Sequence, residues 1–300
     1  MNKVKIWIEA IRLRTLPVSM SGVVIAIALA WYFGEFMWQP AVLCILFALL
    51  AQIVSNLANE YYDFLRGADK KGRVGPRRGV TEGDIKPDTL KWVTVGTMVA
   101  ACGVGCGLLF YGPWWLLIAG VVIALAALAY SAGPYPLSYH GLGEMAVFIF
   151  FGLVPVNLTY FVQSGQFNPF VVLASVSIGL MGVNVLLVNN YRDVNDDIDA
   201  GKHTSVVIFG RKLAASAYLI NGFVAISVLS PLWLRLMMQH VWWCMLPAVA
   251  YLMIHTSNWW RLTHSDGAAL NPLLGSTARA MLIFTVLLTV VLMVGSTELG

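Results

Sequence analysis

The sequence has few charged residues, few cysteines and none of the common nucleotide-binding or hydrolase motifs. Only 11% of its 300 residues are charged, whereas 59% are hydrophobic. The mean hydropathy is +0.75, and a soluble domain needs far more charge than this, so most of the chain is expected to lie in lipid. The four cysteines all fall inside apolar runs, which excludes a disulfide framework and a zinc-ligand spacing. We expect no nucleic-acid partner and no obligate protein partner.

Long apolar segments make up most of the remaining sequence. About 20 apolar residues are needed to cross the hydrocarbon core of a bilayer as a helix. The sequence predicts an all-α integral membrane protein with nine spans, at about residues 17–34, 41–64, 90–111, 113–131, 144–163, 169–191, 212–234, 241–260 and 277–296. Ahead of them, residues 1–14 have an apolar stripe opposite charged residues, which is typical of a helix lying in the membrane interface. Residues 1–300 are thus expected to form one polytopic domain.

The basic residues are distributed unevenly between the loops that connect these segments. In the predicted topology 18 of the 19 lysines and arginines lie on one side, and only Arg235 lies on the other. The excess of positive charge marks the cytoplasmic side of a membrane protein. We therefore expect a cytoplasmic N-terminus and cytoplasmic cap loops at residues 66–91 and 193–211.

The polar stretch at residues 189–202 follows directly after the sixth apolar segment. It holds four of the fifteen acidic residues: Asp193, Asp196, Asp197 and Asp199. The spacing of Asn189, Asp193 and Asp197 predicts one helical face. Arg192 would point about 100° away from Asp193 on an ideal helix. Because packed carboxylates repel, we expect a cation between them, and a hard ion such as Mg²⁺ takes oxygen ligands of this kind.

A second polar stretch lies at the end of the second apolar segment, in the sequence SNLANEYYD. Asn56, Asn59, Glu60 and Asp63 are spaced to share one helical face. Ordinary polar helix ends at a membrane surface are the alternative. Two matched stretches favour a shared site, because ionisable groups in membranes are costly and are usually functional.

The connection at residues 66–91 is the longest and contains a basic run with Arg73, Arg77 and Arg78. This run could set the topology and contact anionic lipid. Beside two acidic stretches, a bound anionic ligand is the better interpretation, because arginines give bidentate contacts to a pyrophosphate.

Two further groups of polar residues have simpler interpretations. The fourth segment leads into a loop with aromatic rings and Glu144, and spacing alone favours an interfacial aromatic belt there. Asn221, His255 and Asn258 are isolated in the last three segments, and we interpret them as groups that hydrogen-bond one helix to another.

Five motifs together resemble the UbiA-type intramembrane aromatic prenyltransferases, and the similarity covers nearly the whole chain. The motifs are RLRTLP at 12–17, SNLANEYYD at 55–63, RVGPRRG at 73–79, GLGE at 141–144, and NNYRDVNDD with AGKHT at 189–204. Within the family, the chain is most similar to the branch that prenylates 1,4-dihydroxy-2-naphthoate in menaquinone biosynthesis.

The resemblance implies nine helices around a central cavity with Mg²⁺ and a polyprenyl pyrophosphate at its polar end. It implies catalytic roles for Asp63, Asp193 and Asp197, and metal ligands at Asn59, Glu60, Asp63, Asp69, Asp193 and Asp197. It implies pyrophosphate contacts at Arg73, Arg78 and Lys202, and an acceptor or prenyl pocket at Asn56, Tyr130, Glu144, Asn189 and Asn190.

Three positions depart from the family pattern. The family usually has Asp where Glu60 stands, Gly67 stands where another Asp is common, and Ile208 replaces a family arginine. Asp69 is a candidate replacement for the acid missing at Gly67.

The implied reaction moves a polyprenyl group to an aromatic acceptor in the inner membrane of a bacterium, with loss of pyrophosphate and CO₂. The same chemistry on 4-hydroxybenzoate is one alternative. A cation-coupled transporter is an alternative of another class, although transporters place such groups near the bilayer midplane.

Overall fold

A computed structural model describes residues 3–69, 71 and 75–297 of the chain. Every regular element in these residues is helical, as the sequence predicts. An α-helix satisfies all of its backbone hydrogen bonds within one segment, and this is what an apolar surrounding requires of a chain.

In the described residues, thirteen α-helices follow one another. Their bounds are α1 Lys3–Ile11, α2 Leu16–Tyr32, α3 Trp38–Leu65, α4 Pro87–Gly107, α5 Trp115–Ala129, α6 Gly143–Val147, α7 Val154–Ser164, α8 Pro169–Arg192, α9 Val194–Asp199, α10 Ser205–Ser227, α11 Ser230–Met238, α12 Leu246–Thr263 and α13 Asn271–Thr297. A π-helical turn at Phe148–Leu153 joins α6 to α7, so these three elements form one continuous rod.

Helices overlap all nine predicted membrane segments, but they differ in length. Within the described ranges, six helical segments are long and apolar enough to cross a bilayer, and the bent pair α1–α2 would make a seventh. Helix α5 has only 15 residues, which span about 22 Å at 1.5 Å per residue. Nine crossings therefore stay a prediction.

The predicted seventh segment and the second cap loop have different bounds in the structure. Residues 212–234 were expected to form one span, whereas α10 begins earlier, at Ser205, and α11 follows it after a short break. The side chain of Thr204 caps α10 by accepting a hydrogen bond from the backbone N–H of Val207. Much of the predicted loop at 193–211 is consequently helical, in α9 and the first turns of α10.

The first helix packs against the connection that follows α3. Ile6 and Ala10 of α1 are buried with Val80 and Ile85, whereas Val4 and Ile8 on another face are exposed. An apolar face turned outward suits a helix at a membrane surface. Helix α1 thus covers the part of the connection that carries Val80 and Ile85 and leaves apolar side chains outside.

Polar side chains between the C-terminal helices form hydrogen bonds from one helix to another. Asn221 donates to Asn184 at 3.2 Å, and His255 lies 3.2 Å from the carbonyl oxygen of Leu219. Asn258 accepts from Ser276 at 2.8 Å. The interpretation of Asn221, His255 and Asn258 as helix–helix contacts is confirmed.

The polar connections after α3, α5 and α8 meet at one end of the bundle. Arg66 donates to the carbonyl oxygens of Ser131 and Gly133. The backbone N–H of His203 donates to the carbonyl oxygen of Tyr139 at 2.8 Å. These contacts join the three connections into one cap over the helix ends.

Candidate active site

A cavity of about 170 Å³ lies beneath this cap. Of the predicted site residues, eleven line it: Asn56, Asn59, Asp63, Arg78, Tyr130, Glu144, Asn189, Asn190, Asp193, Asp197 and Lys202. The end of α3 and the end of α8 therefore face a common space, as the two matched polar stretches predict.

Asp63 is held on both of its carboxylate oxygens. Lys202 donates to Oδ2 at 3.1 Å, and the hydroxyl of Tyr139 donates to Oδ1 at 3.1 Å. Asn59, one turn earlier on α3, donates to Oδ2 at 3.2 Å. The ammonium of Lys202 and the guanidinium of Arg66 lie 4.8 and 5.1 Å from the ring centre of Tyr139, within range of a cation–π attraction.

The tyrosine hydroxyl that contacts Asp63 has a raised pKa. For Tyr139 burial is the largest cause, and the negative charge of Asp63 adds to it. The Tyr139 hydroxyl is therefore protonated at neutral pH and donates its hydrogen bond to Asp63.

Arg12 is a site residue that the sequence interpretation missed. Its guanidinium donates to Oδ1 of Asn59 and lines the cavity, whereas the sequence analysis counted Arg12 among the basic residues and in the RLRTLP motif without a role in the site. Arg12 has φ 57° and ψ 59°, a left-handed conformation that costs a non-glycine residue about 1–2 kcal/mol. The RLRTLP motif was the available signal, but spacing alone could not place Arg12 beside Asn59, which is 47 positions away.

The expectation that Arg192 points away from Asp193 was wrong. Arg192 donates to both carboxylate oxygens of Asp193, from Nε at 2.6 Å and from Nη2 at 2.7 Å, and also to Asn189 at 2.9 Å. Helix α8 ends at Arg192, and Asp193 has φ −90° and ψ 8°, so the 100° step of an ideal helix no longer applies between these neighbours.

The second carboxylate of the pair lies on α9, beyond that break. Asp197 is buried and lines the cavity, and its backbone N–H donates to the carbonyl oxygen of Asp193 at 2.8 Å. The carbonyl oxygen of Asp197 accepts from the backbone N–H of Lys202 at 2.8 Å. The turn after α9 thereby places the Lys202 side chain across the cavity towards α3.

Glu60 and Asp69 do not lie on the cavity wall. Glu60 is buried and accepts a hydrogen bond from the backbone N–H of Val80 at 3.1 Å, which fixes the loop at 66–91 to α3. Oδ2 of Asp69 lies 3.1 Å from Nε of Arg78. Asp69 therefore holds a cationic residue of the wall, and Glu60 points towards the loop because it is one residue, or about 100°, from Asn59.

Arg73, predicted to contact pyrophosphate, lies outside the described residues. The neighbouring Arg78 is described: it is buried, and Nη2 lies 3.5 Å from Oδ1 of Asn59. Arg77 instead forms an ion pair with Asp84 at the surface. Of the two arginines described in this basic run, only Arg78 reaches the cavity.

The donor set of the cavity suits a hard divalent cation shared with a ligand. Asp63, Asp193 and Asp197 offer carboxylate oxygens from two sides, and Asn59 and Asn189 offer amide oxygens. In the described part of the chain, no three acidic, histidine or cysteine side chains converge on one point as a complete metal cage. Mg²⁺ usually takes one or two carboxylates together with substrate phosphates and water, so this arrangement fits it.

A larger apolar cavity of about 380 Å³ adjoins the polar one. Its walls come mainly from α3, α4, α5 and the rod formed by α6 and α7. The two cavities share four wall residues: Gln52, Ser55, Tyr130 and Phe151. A molecule with a charged head and a long apolar tail could therefore place each part in matching surroundings.

The sequence profile of the UbiA prenyltransferase family matches residues 19–284. The chain belongs to this family. It is an integral membrane protein, and the match gives no support to the alternative of a cation-coupled transporter.

Curated relatives are similar over most of the chain. A 1,4-dihydroxy-2-naphthoate octaprenyltransferase of Escherichia coli is 31% identical, with 95% of this chain and 94% of that protein covered. The Haemophilus influenzae protein of the same name is 35% identical, with 70% of each chain covered. Among solved structures, a UbiA homologue from Archaeoglobus fulgidus bound to DMAPP and Mg²⁺ superposes with a TM-score of 0.59. It is 16% identical, with 95% of this chain and 99% of that chain covered, and this likeness concerns the fold.

Proposed function

We propose that this protein transfers a polyprenyl group from polyprenyl pyrophosphate to 1,4-dihydroxy-2-naphthoate. CO₂ and pyrophosphate leave, and the product is demethylmenaquinone, a quinone precursor. The observation that carries the proposal is that two cavities adjoin each other: acidic and basic side chains line one, and apolar side chains line the other. The names of the curated relatives specify the naphthoate acceptor.

The polar cavity would hold the pyrophosphate. Arg12, Arg78 and Lys202 lie on its wall and supply positive charge to the leaving group. Arg73 belongs to the same proposal by its place in the basic run. Such groups accelerate the reaction because they stabilise the negative charge that grows on pyrophosphate as the allylic C–O bond breaks.

We propose Mg²⁺ as the cofactor, bound to the carboxylates on either side of the cavity, from Asp63 or from Asp193 and Asp197, with substrate phosphates and water as further ligands. Bound there, it would neutralise further charge on the leaving pyrophosphate. Two of these carboxylates form ion pairs with basic side chains: Asp63 with Lys202, and Asp193 with Arg192. The ion pairs fix the orientation of both carboxylates on the cavity wall.

The apolar cavity would take the prenyl tail, which is too hydrophobic to be presented from water. Tyr130 and Phe151 belong to the walls of both cavities, so their rings lie where the reacting allylic carbon would pass. Aromatic faces stabilise a cation by cation–π attraction, and a dry cavity keeps water from capturing it. The electron-rich acceptor ring then attacks this carbon.

The acceptor would lie beside Asn56, Glu144, Asn189 and Asn190, which offer hydrogen bonds to hydroxyl and carboxylate groups. We propose that the capped end faces the cytoplasm across a bacterial inner membrane. The distribution of basic residues over the loops supports this orientation.

An acceptor panel tests the proposed function. Membranes with the overproduced protein receive a polyprenyl pyrophosphate and either the naphthoate or 4-hydroxybenzoate. We expect prenylated naphthoate with equal amounts of CO₂ and pyrophosphate, much less of all three with Asp197→Asn, and none after chelation of divalent metal. Turnover of 4-hydroxybenzoate without turnover of the naphthoate would contradict the proposed acceptor.

A further inference from the structure

Glu144 is an acidic residue that lines the polar cavity, and the reaction steps proposed above give it no chemical role. It stands in the first turn of α6 and lines the cavity. Its Oε1 accepts two hydrogen bonds, one from Asn190 at 2.8 Å and one from the hydroxyl of Ser205. In the described part of the chain, Oε2 receives no hydrogen bond, so its lone pairs are available to a ligand.

The surroundings of Glu144 differ from those of two other carboxylates on the same wall. Asp63 contacts Lys202, and Asp193 contacts Arg192, whereas Glu144 forms no ion pair with any described residue. A carboxylate paired with a cation is a poorer proton acceptor, because the cation stabilises its charged form. Neutral amide and hydroxyl donors orient Glu144 without a positive charge at its side.

The residues beyond Glu144 on the same rod provide a place for an aromatic ring. Val147 lies one turn further along and Phe151 two turns further, and both line the polar cavity. Phe151 also lines the apolar cavity. A flat ring packed on Val147 and Phe151 would therefore lie between the Glu144 carboxylate and the position proposed for the allylic carbon.

We propose that Glu144 is the general base that removes the proton from a ring hydroxyl of the aromatic acceptor. This inference rests on the proposed function. A ring oxygen that loses its proton donates more electron density to the ring, and the ring is then a stronger nucleophile. Asn190 and Ser205 hold the carboxylate in position, and the hydroxyl approaches Oε2.

The proton and the electrons balance without another reactant. The hydroxyl proton moves to Glu144, and the electron pair of the broken O–H bond passes through the ring into the new bond to the allylic carbon. The C–O bond of that carbon breaks, and its pair leaves with pyrophosphate. When the attacked carbon bears the carboxylate, loss of CO₂ returns a pair to the ring, and Glu144 returns the proton to the oxygen.

The test compares wild type with Glu144→Gln on a series of hydroxynaphthoates whose hydroxyl is made progressively more acidic by ring halogens. With the parent acceptor, kcat should fall about 100-fold or more, the range typical of a general base. The loss should shrink steadily as the hydroxyl becomes more acidic, because the base is then needed less. The KM for prenyl pyrophosphate should stay unchanged.

Two further variants complete the test. Glu144→Asp keeps a carboxylate and should recover part of the lost rate, and it serves as the test variant if Glu144→Gln does not fold. Glu35→Gln makes the same chemical change at the turn between α2 and α3, away from the cavity, and should behave as wild type.

A loss of the same size with every acceptor would assign Glu144 a structural role and overturn the inference, as would wild-type kcat in Glu144→Gln. Wild type that prenylates no hydroxynaphthoate at all would instead overturn the proposed function.

Discussion

The ammonium of Lys202 lies 3.1 Å from Oδ2 of Asp63, across 139 positions of sequence. Tyr139 donates to the other oxygen of the same carboxylate. Asp63 is thereby the point at which the end of α3, the loop after α5 and the turn after α9 meet. A change at Lys202 must consequently affect both the cap and the charge of the cavity.

Lys202→Met should raise the KM for prenyl pyrophosphate about tenfold or more, which corresponds to the free energy of one lost charge-assisted hydrogen bond. The variant removes positive charge from the cavity wall but keeps a long side chain. Steady-state kinetics at saturating acceptor measure this effect. Lys212→Met, at an exposed position of α10, is the matched control. A lower thermal stability with an unchanged KM would leave Lys202 only the role of holding the cap.

Asp197→Asn should leave the protein folded and inserted but lower turnover roughly 100-fold, the upper end of losses for a disturbed metal site. The amide keeps the shape of the side chain and removes its charge. Extra Mg²⁺ should recover part of the rate, because weaker binding is offset by mass action. Asp199→Asn, an exposed neighbour on α9, is the control. Near-normal activity in both Asp193→Asn and Asp197→Asn would remove the metal from the proposal.

The face of α3 that carries Asn56, Asn59 and Asp63 could be predicted from the sequence because that helix is regular there. The position of the neighbouring Glu60, which does not lie on the cavity wall, could not be predicted from the sequence. It lies at the edge of the same face, and its partner, the backbone of Val80, belongs to a loop whose path depends on the whole fold.

The pairing of Arg192 with Asp193 shows a second limit. Helical spacing predicts side-chain directions only while the backbone stays helical, and α8 ends between these two residues. Tyr139 could not be predicted either. Its hydroxyl reaches Asp63 only because three distant connections fold together, and an aromatic loop at a membrane surface has a simpler interpretation.

The orientation in the membrane can be tested by labelling cysteines at the two ends of the bundle. In a background without the four native cysteines, Lys86→Cys lies in an exposed position of the capped end, and Gln166→Cys lies in the exposed turn between α7 and α8. We expect an impermeant thiol reagent to label position 166 in intact cells. Position 86 should react only when the inner face is opened. The reverse pattern would place the cavity at the outer face and contradict the proposed cytoplasmic orientation of the capped end.

Two substitutions at Arg12 can separate the effect of backbone strain on stability from the effect of side-chain charge on activity. Because its φ is 57°, glycine at this position removes the left-handed penalty, whereas glutamine keeps it. Arg12→Gly should therefore be about 1 kcal/mol more stable than Arg12→Gln, as judged by thermal unfolding of the purified proteins. Both variants should lose activity equally, since each lacks the guanidinium that reaches Asn59 and the cavity. Arg261→Gln, at the exposed end of α12, should keep wild-type kinetics. If Arg12→Gly kept normal activity, the residue would be a strained connection between α1 and α2 and no part of the anion-binding wall.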